Sequence, residues 1–332
     1  MATKLPKETL KAFLVVGLLF PLHVILGVLS VPALVYYLLV IRSTFAWAFT
    51  AVYLPFFLYP AQSRFPGWRG FDAMWRSFDY TTTCTDYFGT FDVRASVPID
   101  SQGQYFVASH PHGTLIFQRM FWRATLLEQL FRRPFRMLGA SVLFRIPIVR
   151  EMSLLFGAVD AGKANCERLL RAGSSVVVFP GGIDEMPLSG DGPTSDVRLR
   201  TRTGFIRMAV THGVPVLPTF CFGELEAVSA VSPLPAGLSR WLQKSLRIST
   251  TAFVGRFNLF LPHRVPFVLC VGAPIAVAQC SEPSAVDAEV ARVHALYKQA
   301  LRSLYAANAE SCGYGERTLR FRCEELDQKK SK

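Results

Sequence analysis

The chain has 332 residues, 51% of them hydrophobic and 18% charged, and 36 Lys and Arg against 24 Asp and Glu give a formal net charge of +12. That length allows one large domain or two modest ones around a substantial buried core. Seven scattered cysteines without a Cys-x-x-Cys pair exclude a disulfide framework and a zinc ribbon. The cationic excess comes without a recognisable nucleic-acid module, so it points to an anionic membrane face or a phosphorylated cosubstrate and not to nucleic acid.

From Ala12 to Ile41 no residue is charged, and after Arg42 a second uncharged run extends from Ser43 to Ser63. A bilayer core of ~30 Å needs about 20 helical residues, so the first run exceeds one straight span and the second just fits. Pro21, Pro32 and Pro55 interrupt the runs, which predicts kinked or paired half-spans and a membrane hairpin turning near Arg42. Lys4, Lys7 and Lys11 precede the hairpin and Arg64, Arg69 and Arg76 follow it, so the positive-inside rule puts both ends on the cytosolic face. A cleaved signal peptide would be shorter and would lack the second run.

Beyond this anchor the pattern is that of an α/β domain. Apolar runs of strand length occur at Tyr105–Ser109, Ser175–Phe179, Val214–Phe222 and Pro266–Val277, separated by stretches of helical period. Phe117–Phe131 and Thr203–His212 read as helices. A third helix is capped by Ser281, has Pro283 in its first turn, and lines up Val286, Val290, Val293, Tyr297, Leu301, Leu304 and Tyr305 on one face. Ser189–Asp196, with Gly190, Gly192 and Pro193, reads as a surface loop, and the charged end from Asp327 to Lys332 as a disordered tail. The expected division is a membrane-hairpin segment at 1–63, a cytosol-facing α/β domain at 64–310 and a basic tail at 311–332.

The most informative residues are His110-Pro111-His112-Gly113, because two imidazoles directly follow an apolar strand. Histidine is suited to moving protons near neutral pH, and the carboxyl end of a strand is where open α/β sheets place their chemistry. Metal ligation is disfavoured, since Thr114–Phe117 offer no third ligand and His212, His263 and His294 lie far away in sequence. A second segment, Phe179-Pro180-Gly181-Gly182-Ile183-Asp184-Glu185, follows another apolar strand. Its glycines could bare amides to a phosphate or an oxyanion, and Glu185 could orient a histidine. Arg198, Arg200 and Arg202 alternate along one extended face and Arg207 follows, a row suited to phosphates or to a solvated edge beside an anionic membrane. Arg132, Arg133 and Arg136 form a second basic cluster, read as a surface or headgroup contact. No Gly-x-Ser-x-Gly elbow, Walker A motif or dinucleotide fingerprint is present, so a serine hydrolase lacks its nucleophile and a substrate hydroxyl is left to attack directly.

These motifs resemble the type-2 diacylglycerol acyltransferases and their monoacylglycerol and wax-alcohol relatives. The resemblance rests on His110-Pro111-His112-Gly113 and Gly181-Gly182-Ile183-Asp184-Glu185. It continues through Arg202-Thr203-Gly204-Phe205 to Phe222-Gly223-Glu224, Val271-Gly272-Ala273-Pro274 and Gly313-Tyr314-Gly315. It departs at Asp184, where relatives commonly carry a small residue, and at Gly89, where proline is frequent. The resemblance implies a glycerolipid-acyltransferase-like α/β domain with a central mixed sheet. It also implies a diacylglycerol O-acyltransferase of the endoplasmic-reticulum membrane with access to lipid droplets, using acyl-CoA as cosubstrate and no bound cofactor or metal. A homo-oligomer is compatible with it. In the expected mechanism His112 is the general base held by Glu185, and His110 shapes the site or assists the leaving thiolate. Gly113, Gly181 and Gly182 surround the oxyanion and the acyl-CoA, with Arg202 and Arg207 at the CoA phosphates. A monoacylglycerol, long-chain or sterol alcohol is the alternative acceptor, and a non-catalytic lipid-droplet scaffold the alternative class. Lys329 and Lys330 stand where a dilysine retrieval signal would, or form a plain basic tail.

Overall fold

The computed structural model describes residues 9–64, 79–123, 127, 130–132, 135–182, 185–186, 196–199, 201–246 and 251–321. Its strands are β1 (Phe91–Ala95), β2 (Phe106–His110), β3 (Phe135–Gly139), β4 (Ala158–Asp160), β5 (Ser175–Val178), β6 (Val197–Leu199), β7 (Val216–Phe222), β8 (Ser229–Val231), β9 (Ala252–Val254), β10 (Phe267–Val271) and β11 (Leu319–Phe321). Seven of them form one sheet in the order β1-β10-β7-β2-β5-β3-β4. All neighbours run parallel except β10 and β7, so the sheet is mixed as expected. β2 lies at its centre, between β5 and β7, and is buried along its whole length. Burial on both faces explains why β2 and β7 read as near-continuous apolar runs without polar alternation.

The alternation of side chains divides the core. Phe106, Ala108, Val176, Val216 and Val268 point to one side, and Val107, Val177, Leu217 and Leu269 to the other. The first side is covered by three helices, Lys163–Arg171, Gly204–His212 and Pro283–Ala309, the second by the aromatic residues Phe117, Phe121 and Trp122 together with the helix Tyr80–Phe88. Numbered in chain order, the helices are α1 (Phe20–Leu39), α2 (Thr44–Leu58), α3 (Tyr80–Phe88), α4 (Val149–Leu155), α5 (Lys163–Arg171), α6 (Gly204–His212), α7 (Ala236–Leu246) and α8 (Pro283–Ala309). The face expected for α8 is the face it buries. Its N-cap is Glu282, one residue beyond the expected Ser281, because Pro283 occupies the first helical turn.

One expected helix is corrected. Phe117–Arg123 is a 3-10 helix, and of the remainder of Phe117–Phe131 only residues 127, 130 and 131 are described. Its first two amides are held by a carboxylate, as set out below. The loop residues 189–195, Asp184, Arg200, Arg69, Arg76 and the tail from residue 322 lie outside the described residues.

The N-terminal part is helical over most of its apolar stretch, with a break at 40–43 between α1 and α2. A π-helical segment, Phe13–Leu19, runs into α1, and α2 starts at Ser43, whose Oγ accepts the Ala46 N–H at 3.3 Å. Pro32 and Pro55 lie inside helices that continue past them. Among the described residues one helix is long and apolar enough to cross a bilayer by length and composition: Pro21–Leu39, with 19 residues, a mean hydropathy of 2.1 and 11% of its window buried. Both apolar helices meet α4. A Cβ on Gly27 of α1 would overlap the Val149 side chain, so only glycine allows that approach. Arg150, fully buried, donates to the carbonyls of Phe56 (3.2 Å) and Tyr59 (2.9 Å) at the end of α2. Its guanidinium lies 5.0 Å from the centroid of the Phe56 ring.

Candidate active site

β2 delivers the histidine pair to the carboxyl edge of the sheet, as its apolar run predicts. His110 is its last residue, the His110–Pro111 peptide is cis, and Gly113 turns the chain with φ +63°. His110 is fully buried and His112 half-buried, so His112 is the more exposed of the two at the edge. β5 ends at Val178, and the turn after it brings Gly181 and the fully buried Glu185 beneath the histidines.

Glu185 serves both histidines, in different ways. Its Oε2 accepts the backbone N–H of His112 at 2.7 Å, and its Oε1 lies 3.3 Å from His110 Nδ1. Among the described residues neither His110 ring nitrogen has an aligned hydrogen bond, so the second contact is an ion-pair distance that gains its strength only when the imidazole is protonated. The carboxylate therefore fixes the backbone of His112 and not its ring. Ring orientation comes from Gly113: its carbonyl is 2.7 Å from His112 Nδ1, and a carbonyl can only accept, so Nδ1 carries the hydrogen. Nε2 of the neutral ring is then the acceptor left for chemistry. Burial holds the His112 pKa below its ordinary value, with the Gly113 hydrogen bond and Glu185 opposing and His110 and Arg202 adding to the lowering. Phe179 meets the ring edge-on at 6.3 Å.

The glycines have distinct tasks. A Cβ on Gly181 would overlap the Glu185 carboxylate, so glycine is required for the acid to reach the histidines. The Gly182 N–H donates to the Phe179 carbonyl at 3.1 Å and is spent in the turn, which removes it from the expected oxyanion donors. Gly182 has φ +59°, and its bare Cα faces the Arg202 guanidinium, 3.5 Å from the position a Cβ would take. Arg202 is thus brought to the histidine pair. Arg207 is not: on α6 it pairs with Asp287 of α8 at the surface. Arg198, exposed on β6 between the buried Val197 and Leu199, keeps the expected alternation, and β6 pairs with β11 away from the seven-stranded sheet. Among the described residues no three His, Cys, Asp or Glu side chains converge as a metal site.

A second buried carboxylate was not assigned a role by its sequence. Glu224, two residues past β7, accepts the N–H groups of Phe117 (2.8 Å) and Gln118 (2.6 Å). Gln118 in turn donates to the Pro111 carbonyl and accepts from Ser109 Oγ at 2.6 Å. Any side chain at Gly113 would strike the Glu224 carboxylate. Glu224 therefore clamps the loop that carries both histidines. Burial raises its pKa well above the ordinary carboxylate value, with the two amides and Arg119 pulling it back. The signal for it was Phe222-Gly223-Glu224 at the end of a fully buried strand, where an acid needs a partner. Tyr297 of α8, also buried, lies 6.1 Å from the His110 ring and closes the site from the other side.

A half-buried neutral imidazole with one free nitrogen, a carboxylate beneath it and a guanidinium at the rim suit the transfer of an acyl group to a hydroxyl, the work of an O-acyltransferase. Comparison with known proteins agrees. The sequence profile of the family described as Diacylglycerol acyltransferase matches residues 39–321, and the chain belongs to that family of acyl-CoA-dependent O-acyltransferases. It is 27% identical over 329 residues to acyl-CoA wax alcohol acyltransferase 2 of Mus musculus, covering 93% of this chain and 96% of that protein. It is 30% identical over 255 residues to diacylglycerol O-acyltransferase 2 of Dictyostelium discoideum, covering 72% of this chain and 74% of that one. Among solved structures, the 1-acyl-sn-glycerophosphate acyltransferase PlsC of Thermotoga maritima superposes with a TM-score of 0.42 and 16% identity, over 86% of this chain and 97% of that chain.

Proposed function

We propose that the protein transfers an acyl group from acyl-CoA to the free hydroxyl of diacylglycerol, forming triacylglycerol, with His112 as general base. The observation that carries this reading is the His112 ring, fixed through Nδ1 by the Gly113 carbonyl with Nε2 left to accept a proton. Nε2 takes the hydroxyl proton as the oxygen attacks the thioester carbonyl. The tetrahedral intermediate then expels the CoA thiolate, which recovers that proton from the imidazolium. Base assistance of this kind supplies ~10² to 10⁴ in rate. The Gly181 N–H, without a partner among the described residues, and Arg202 are the donors nearest the developing negative charge. Glu185 positions the loop, and His110 packs behind it within the buried site. Arg207 meets CoA phosphate only by exchanging Asp287 for it. The second acceptor reading, a long-chain alcohol or monoacylglycerol, is favoured by the match to the wax alcohol enzyme over nearly the whole chain.

The anchor at residues 1–63 acts as a hairpin in the endoplasmic-reticulum membrane, with the α/β domain cytosolic and lipid droplets accessible. Gly27 and Phe56 meet adjacent residues of α4, which supports a chain that runs out and back between them. From Gly27 to the end of α1 the rise is about 18 Å at 1.5 Å per residue, roughly one leaflet of a ~30 Å core, so the hairpin re-enters the face it left. Membranes carrying the protein, labelled acyl-CoA and a panel of acceptors test the assignment by chromatography. Triacylglycerol is the expected product; wax ester without triacylglycerol would replace the acceptor and keep the chemistry.

A further inference from the structure

The described residues of 229–246 and 251–261 form a small lobe outside the seven-stranded sheet. β8 and β9 pair antiparallel, Ser229 opposite Val254 and Val231 opposite Ala252, so α7 leaves one end of the ladder and the turn Gly255–Leu261 the other. Two residue steps separate those ends, ~7 Å. Both carry large apolar side chains facing outward. Phe257 is 75% exposed and Trp241 58%, with Leu238, Leu259 and Phe260 also exposed. Phe257 and Asn258 hold φ of 58° and 56°, and a bulky aromatic residue adopts that region only where the surrounding structure demands it.

The charge of this segment is one-sided. Between Glu226 and Glu282 the chain has no Asp or Glu, while Arg240, Lys244, Arg247, Arg256 and Arg264 all fall within it. On α7 the spacing sets Leu238, Trp241 and Leu242 on one face, and positions 240 and 244 on the opposite one. That is the pattern of a helix lying in a lipid interface, apolar face down with cations level with the headgroups. The lobe is also continuous with the apolar N-terminal segment through one side chain. Tyr87 packs its ring against Gly17 of the π-helical stretch, donates its hydroxyl to the Pro262 carbonyl at 2.7 Å, and lies 5.9 Å beneath the Arg256 guanidinium.

We infer that this lobe is a second membrane contact, in which Trp241, Leu238 and the Phe257–Phe260 turn enter the surface of the anionic leaflet that receives the hairpin. A second copy of the chain fits the surface worse, because a symmetric contact would set a segment with five Lys and Arg and no Asp or Glu against itself. The inference rests on the hairpin reading, and the test separates the two. Full-length protein is reconstituted in phosphatidylcholine vesicles with and without phosphatidylserine, using lipids brominated on the acyl chain to quench tryptophan. Trp47 of α2 reports the hairpin, Trp241 reports the lobe, and Trp47→Phe and Trp241→Phe assign the quenched emission to each. Most Trp241 emission should be lost, more so with phosphatidylserine, and Leu259→Glu with Phe260→Glu should restore it while Trp47 stays quenched. Quenching that disappears with Trp47→Phe and is unchanged by Trp241→Phe would keep the hairpin and overturn the lobe. Trp241 shielded from aqueous iodide yet untouched by brominated lipid would assign the surface to a protein partner, a second copy included, and overturn the inference too. No quenching at either tryptophan would overturn both.

Discussion

His112 differs from its neighbour His110 by one property that decides its chemistry: it is half-buried, whereas His110 is sealed. The lowered pKa that burial gives His112 favours its neutral form near pH 7, the form a general base needs. Protonation inactivates it, so kcat/KM falls as pH drops through a pKa below the ordinary histidine value of 6.5. The acid limb of the pH profile should therefore lie below 6.5, and Arg202→Gln, which removes a charge that lowers this pKa, should move it upward. An acid limb above the ordinary histidine value would separate His112 from the rate-limiting proton transfer. Gly181→Ala should abolish turnover, because the new methyl group takes the space of the Glu185 carboxylate; retained activity in that variant would remove Glu185 from beneath the histidines. Both segments were legible in the sequence because each follows an apolar strand. The division of labour was not, since it turns on a backbone amide and a carbonyl that side-chain spacing does not reveal.

At the level of elements, the loop with the histidines is held from behind by Glu224. Glu224→Gln replaces one accepting oxygen by a donor facing an N–H, and leaving a buried amide unsatisfied in this way costs about 1 to 3 kcal/mol. Thermal unfolding temperature and kcat should both fall, and the acid limb of the pH profile should stay where it is. A shift of that limb would mean Glu224 acts on the proton transfer itself. Arg150 has the matching role for the apolar helix α2: Arg150→Leu removes its bonds to the Phe56 and Tyr59 carbonyls. Hydrogen exchange should then quicken at the end of α2 and stay slow in β2 and β7. The long periodic helix α8 and the continuous strands β2, β5, β7 and β10 were readable because burial writes a period into their sequences. β4, β6, β8, β9 and β11 are three residues long, too short to show one. The region after Gly113 misled because its apolar residues fit a helical period, while the Glu224 carboxylate holds its first amides and the turn is 3-10.

The whole molecule sets a mixed sheet with its reactive edge next to two apolar helices, an arrangement that suits a soluble thioester donor and a lipid acceptor. Composition marked the apolar N-terminal helices and the strand ends marked the candidate site, but Arg202 and Arg207 looked alike in sequence and only the fold separates them. The central claim is that His112 provides the base for acyl transfer. The most direct test is single-turnover acylation of diacylglycerol by membrane-reconstituted wild-type protein and His112→Ala at equal protein amounts. The rate should fall by ~10² or more, with expression and membrane association unchanged. A near-normal rate in His112→Ala would contradict the account.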